Sequence, residues 1–81
     1  MTLPRDLSGD QLVRLLRRCG YEVTRQSSSH IRLSSRRMGR EHHITVPDHR
    51  DLRVGTLSAI LTDVAGYLEM EKAALVTQLL G

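Results

Sequence analysis

The chain has 81 residues, with 12 Lys or Arg against nine Asp or Glu, which gives a formal net charge of only +3. This length fits one domain and leaves no room for a separate cofactor domain, so any chemistry must come from a few side chains. No apolar run approaches the roughly 20 residues of a membrane span, the first residues lack the apolar core of a signal peptide, and the lone Cys19 fits a reducing compartment. We expect a single cytoplasmic domain over residues 1–81, with a core over about 8–68, a C-terminal helix over about 69–80 and no membrane association.

The first element is a helix that begins near Gly9. Ser8 is a typical N-cap, and Gln11 stands where it completes a capping box. Apolar residues then recur at helical spacing from Leu12 to Cys19, which gives one buried stripe. Gly20 can supply the left-handed residue that ends the helix.

Three strands follow. Tyr21 and Val23 alternate with polar residues, which predicts a half-buried strand ahead of a serine-rich turn. After the turn, alternation places Ile31 on the core face and His30 on the open face. A third strand ends at Pro47, because proline cannot continue the hydrogen-bonded ladder.

The remaining apolar residues predict two helices. The first is capped by Gly55 or Thr56 and ends at Gly66. A closing helix up to Leu80 can pack on this chain, on a partner or on a second copy. The predicted fold class is therefore α+β, an α-β-β-β-α order with a three-stranded antiparallel sheet, helices packed on one face and a C-terminal helical extension, as in double-stranded-RNA-binding domains.

The charges are unevenly distributed along the chain. Between residues 14 and 40 there are eight arginines and a single acid, Glu22. Arginine suits phosphate because its planar fork donates two parallel hydrogen bonds. This pattern favours a surface that tracks a nucleic-acid backbone, although a solvated basic face without a ligand would look the same.

His30 is the best candidate for catalysis. Breaking an RNA phosphodiester requires removing the 2′-OH proton, stabilising an anionic phosphorane and protonating the 5′ oxygen. Histidine titrates near neutrality and can act as acid or base. The turn and strand around it supply the predicted RNA-binding residues, which are Arg25, Ser28, Ser29, Arg32, Arg36 and Arg37.

The other candidate side chains are weaker. We interpret His49 as ordering the loop after the third strand, in preference to a second catalytic role. A metal site would gather His42 or His43 with His49 and a nearby Asp, but no i, i+4 pair or dense cluster supports it, so we expect neither metal nor cofactor. Ser34 and Ser35 are interpreted as polar strand-end residues.

The order and spacing of these pieces resemble the HicA-type mRNA interferase toxins. The resemblance covers about residues 8–68 and depends on Ser29-His30, on Val46-Pro47-Asp48-His49 and on Gly55-Thr56-Leu57. It implies that His30 is catalytic in a metal-independent endoribonuclease that cleaves mRNA as the toxin of a type II toxin-antitoxin system. It also implies a HicB-like antitoxin partner, through which the toxin could oligomerise. Ser28 stands where the family usually has glycine, which allows positive φ.

Two other functions remain open at this stage. The same sheet and helices would serve a non-catalytic module that binds double-stranded RNA by shape and phosphate contacts. In a third interpretation, the chain is a protein-interaction module whose C-terminal apolar helix is the working surface.

Overall fold

The computed structural model describes residues 3–81. The elements are α1 (Gly9–Arg17), β1 (Glu22–Gln26), β2 (His30–Ser35), β3 (His42–Pro47), α2 (Val54–Leu68) and α3 (Lys72–Leu80). The strands form one antiparallel sheet in the order β1-β2-β3. This architecture confirms the predicted α+β fold with a C-terminal helical extension.

The first helix begins and ends through local signals. The Gln11 N–H donates to Ser8 Oγ at 3.0 Å, and the Ser8 N–H donates to Gln11 Oε1 at 2.9 Å, so the predicted capping box is confirmed. Leu12 and Leu16 are fully buried. Just beyond the helix, Gly20 has a φ of +96°, a conformation that glycine adopts without a steric penalty.

The sheet has a core face and an open face. In β2, Ile31 and Leu33 are buried while His30 and Arg32 are exposed, which confirms the predicted alternation. The core face packs against α1 and α2. The opposite face, which we call the open face, carries the exposed side chains of β2 and β3.

The first strand departs from its prediction. All five residues of β1 are exposed, and Val23 is 40% exposed, so the expectation of a half-buried strand with Val23 in the core was wrong. The pairing between β1 and β2 shifts between Val23 and Arg25, and β1 lies at the edge of the sheet. A bulge at an edge turns the strand away from the core. Tyr21, just before β1, is 1% exposed and fills the core instead.

The second helix differs from its prediction at both ends. It begins at Val54 with Arg53 as N-cap, which makes no side-chain capping bond, so the predicted cap at Gly55 or Thr56 was wrong. The helix continues past Gly66 to Leu68 because Tyr67 and Leu68 are both buried and extend its apolar face.

The third helix packs within the chain. It begins at Lys72, a little later than expected, and buries Leu75, Val76 and Leu79. Its principal contacts are with α2. Among the helices described in residues 3–81, none combines the length and the apolar character needed to cross a membrane.

Candidate nucleic-acid interface

The turn between β1 and β2 is held by the side chain of Ser27. The Ser27 N–H donates to the His30 carbonyl at 2.9 Å, and the His30 N–H donates to Ser27 Oγ at 3.2 Å. A serine hydroxyl thus replaces the backbone carbonyl that would close an ordinary two-residue hairpin. The only positive φ at a non-glycine residue within residues 3–81 is at Glu69, so Ser28 occupies the turn without left-handed strain.

The His30 imidazole is exposed and tethered at one nitrogen. Ser29 Oγ lies 2.9 Å from His30 Nδ1. Nε2 forms no hydrogen bond with the described residues. If the Ser29 hydroxyl donates to Nδ1, the ring is neutral and Nε2 carries its proton, a form too weak to act as a general acid. In the protonated ring, Nδ1–H donates to Ser29 and Nε2–H can act as the acid. If Nδ1–H of the neutral ring donates to Ser29, Nε2 carries a lone pair and can act as a base.

Two arginines share a shallow cavity with this imidazole. Arg25 and Arg32 are paired between β1 and β2, and Arg32 is paired with Thr45 of β3. Together with Ser27 and His30, these three residues line a cavity of about 270 Å³. Neither arginine forms an ion pair within residues 3–81. Both guanidinium groups are therefore available to an anionic ligand beside His30.

The start of α1 supports the serine turn from behind. The Asp48 N–H donates to the Ser29 carbonyl at 2.9 Å, and the Gly9 N–H donates to the His49 carbonyl at 2.9 Å. A Cβ on Gly9 would lie 2.1 Å from the Pro47 oxygen, so only glycine permits this approach. His49 thus accepts a hydrogen bond through its backbone, while its side chain is exposed.

The predicted RNA-binding residues fall into two groups. Ser28, Ser29, Arg25 and Arg32 lie at the His30 end of β2. Arg36 and Arg37 lie beyond the other end, beside a larger cavity of about 600 Å³. Arg36 is 3.8 Å from Glu41 in an exposed ion pair, and such pairs contribute little to stability.

Sequence reasoning missed a polar cluster near this second group. Ser34 is paired with His43 across β2 and β3, and Ser34 Oγ lies 2.5 Å from His43 Nδ1. His43 Nε2 lies 3.2 Å from Glu41 Oε1. Ser34 is therefore more than a strand-end polar residue. Alternation along β3 is a signal that puts His43 on the open face, but the register of the two strands was needed to join it to Ser34.

The neighbouring His42 faces the core and is structural. Its Nδ1 is 2.7 Å from the Tyr21 hydroxyl and its Nε2 is 3.1 Å from Asp63 Oδ1. The imidazole also stacks on Tyr67, with ring centroids 4.6 Å apart. Burial, followed by the charges of nearby groups, raises the pKa of the Tyr21 hydroxyl well above its ordinary value, so this hydroxyl stays protonated.

The alternative metal site is not assembled. His42 and His43 point to opposite faces of the sheet. Across residues 3–81, no three His, Cys, Asp or Glu side chains are grouped so that they could hold a metal ion.

Comparison with known proteins identifies the family. The family model described as the HicA toxin of bacterial toxin-antitoxin matches residues 9–65. The match covers α1, all three strands and most of α2, and it includes His30 and both paired arginines. No curated protein and no solved structure gives a significant match. The chain belongs to the HicA toxin family of bacterial toxin-antitoxin systems.

Proposed function

We propose that the chain is the toxin of a type II toxin-antitoxin system and acts as a small endoribonuclease that cleaves mRNA with His30 as general acid or base. One observation carries the proposal. The exposed His30 imidazole is tethered at Nδ1 by Ser29 and shares a cavity with Arg25 and Arg32. Family membership supports the toxin role, and this arrangement supports the chemistry.

The reaction would be an intramolecular displacement at phosphorus. The 2′ oxygen of the ribose forms a bond to phosphorus, the bond from phosphorus to the 5′ oxygen breaks, and a 2′,3′-cyclic phosphate and a 5′ hydroxyl result. Neutral His30 can take the proton from the 2′-OH, or protonated His30 can give one to the departing 5′ oxygen. Proton transfer of this kind typically contributes about 10²–10⁴-fold to the rate.

Arg25 and Arg32 would stabilise the charge that builds up on the phosphorane. Guanidinium groups bind non-bridging phosphate oxygens with charge-assisted hydrogen bonds. Ser27 and Ser29 keep the imidazole and the turn in place, so a phosphate that enters the cavity meets His30 in a fixed orientation. All of these groups belong to the chain, and the mechanism requires no cofactor.

A HicB-like antitoxin is the expected protein partner. The open face carries His30, Arg25 and Arg32 side by side, so one covering protein can block both the acid-base group and the phosphate-binding groups. The chain would form higher assemblies through that antitoxin, and both proteins would act in the cytoplasm.

The proposal is tested by incubating the purified protein with a long mRNA, with and without EDTA. Wild type should cleave in both conditions, and His30→Ala at equal folded concentration should lose at least about 10²-fold in rate. Arg17→Ala is a suitable control because Arg17 is exposed on α1, outside the cavity.

Each other result would change the assignment. Loss of cleavage in EDTA would point to a metal-dependent reaction, and unchanged cleavage by His30→Ala would remove His30 from the mechanism. Cleavage at the wild-type rate by Arg25→Ala and Arg32→Ala as well as by His30→Ala would indicate a contaminating ribonuclease.

The second candidate function is a non-catalytic module that binds double-stranded RNA. The wide exposure of the His30 cavity favours it, because electrostatic catalysis is strongest where water is excluded. Salt-sensitive binding of duplex RNA by wild type, with the RNA intact after long incubation, would support this function over cleavage.

A further inference from the structure

A second polar cluster lies on the open face, at the end of β2 away from His30. Ser34 Oγ is 2.5 Å from His43 Nδ1, and Thr24 Oγ1 is 3.4 Å from Ser34 Oγ. We call Thr24, Ser34 and His43 the Ser34 cluster. Its members come from three different strands, so it spans the full width of the sheet.

Thr24 and Ser34 of the Ser34 cluster line the largest of the described cavities, whereas His43 lines a neighbouring cavity and reaches the first one only through its contact with Ser34. The largest cavity has a volume of about 600 Å³, against about 270 Å³ beside His30, and Arg36 and Arg37 lie at its edge. Volumes from about 300 to 1,000 Å³ are typical of small-ligand sites. The cavity can therefore hold a group as large as a nucleotide.

The polar groups of this cavity fit a nucleotide better than a simple anion. Two arginines and three hydroxyls offer donors for phosphate oxygens. Glu22 and Glu41 also border the cavity and would repel a bare anion, but they can accept hydrogen bonds from the amino groups of a base. A nucleotide has both kinds of partner.

The order Ser34-His43-Glu41 also resembles the relay that activates a nucleophilic serine. His43 Nε2 is 3.2 Å from Glu41 Oε1, as such a relay requires. However, the side chains of His43 and Glu41 are 42% and 47% exposed. Water competes for both groups, and the preorganised, water-excluded setting that makes a serine reactive is missing. The Ser34 cluster is therefore better suited to binding than to covalent chemistry.

The cluster and His30 lie in one line on the same face. Ser34 is four residues after His30 in β2, which places their Cα atoms about 13 Å apart. The exposed Arg32 lies between them. The two sites are too far apart to act together on one phosphodiester, but an extended RNA strand can contact both at once.

We propose that the Ser34 cluster and its cavity form a second nucleotide subsite, which binds a nucleotide of the same RNA strand away from the bond held at His30. The inference rests on the proposed function for the identity of the ligand as RNA. It adds a binding role for Ser34, Arg36 and Arg37, and a positioning role for His43, which holds the Ser34 hydroxyl. The subsite predicts that affinity and cleavage rise with RNA length, because a dinucleotide cannot reach from His30 to Ser34.

The test compares two 2′-O-methyl RNAs that cannot be cleaved, a dinucleotide and a decanucleotide, by NMR titration of the whole chain. The variant combines Ser34→Ala with His43→Gln, and Arg17→Gln is the control that removes an exposed charge from α1. The double variant should bind the decanucleotide about tenfold more weakly, since hydrogen bonds to a charged partner are lost. Its affinity for the dinucleotide at the His30 cavity, followed on the resonances of Arg25, His30 and Arg32, should match wild type.

Two results would overturn the subsite. One is unchanged decanucleotide affinity in the double variant. The other is an equal loss of affinity for both RNAs, which would indicate damage to the fold or to the His30 cavity. Cleavage of the unmodified decanucleotide is measured separately. If wild type binds through the Ser34 cluster but leaves this RNA intact, the proposed ribonuclease function fails while the subsite stands.

Discussion

The two faces of the sheet use histidine in different ways. On the core face, the His42 imidazole has hydrogen-bond partners at both nitrogens, stacks on Tyr67 and is only 20% exposed. On the open face, His30 is tethered at one nitrogen and exposed. The comparison teaches that the number of partners and the burial, and not the residue type, separate a structural histidine from one that is available to a ligand.

The largest stability contrast is expected between neighbours in β2. Leu33 is 0% exposed, so Leu33→Ala should lower the free energy of unfolding by about 2–5 kcal/mol through lost burial and a cavity. Arg32→Ala, on the open face, should change it by no more than about 0.5 kcal/mol. Urea denaturation measures both values. Similar losses for the two variants would contradict the separation of the faces.

A smaller contrast in stability is expected between alanine variants of His42 and His30. His42→Ala removes a stacked ring and leaves the buried Tyr21 hydroxyl without its partner, so it should destabilise the fold by about 1–3 kcal/mol. His30→Ala should leave the free energy of unfolding within about 0.5 kcal/mol of wild type. Thermal and urea unfolding of both variants provide the measurement. A marked loss of stability in His30→Ala would mean that this residue also has a structural role.

The smallest expected change in the free energy of unfolding occurs at alkaline pH. Burial raises the pKa of the Cys19 thiol, and the opposing charges of Arg37 and Arg18 only partly offset it. Because the thiol is harder to ionise in the folded chain, its full contribution to stability is present below the pKa of the unfolded state. That contribution is lost as the pH rises through the pKa of the folded state. The free energy of unfolding should therefore fall above about pH 8.5.

Denaturant titrations at stepwise pH test this expectation. Cys19→Ala should remove part of the decline while Tyr21, whose pKa is also raised by burial, supplies the rest at higher pH. An unfolding free energy that increases with pH in this range would show that Cys19 is more acidic in the fold than in the unfolded chain.

Features set by near neighbours were predictable from the sequence. The capping box joins Ser8 to Gln11 within one helical turn, and simple alternation placed His30 on the open face. The exposure of Val23 was not predictable in the same way, because the bulge in β1 and the position of that strand at the sheet edge are properties of the whole sheet.

Features that join distant segments could not be predicted. His42 meets Asp63 and Tyr67 only because α2 crosses β3, and Ser34 meets His43 only in the register that the two strands adopt. A shift of one residue would have sent His43 into the core and His42 to the open face. From the sequence alone, we predicted Arg36 and Arg37 as well as the residues around His30, but not the contact between Ser34 and His43.

The irregular edge strand affects how readily this protein aggregates at high concentration. Straight, apolar sheet edges attract strands of other molecules and start aggregates. Here β1 is bulged between Val23 and Arg25, and it places Glu22 and Arg25 along the exposed edge. Both features make the edge a poor template for further strands. Crowded copies can thus keep the broad sheet surface accessible, without joining to one another through their β1 edges.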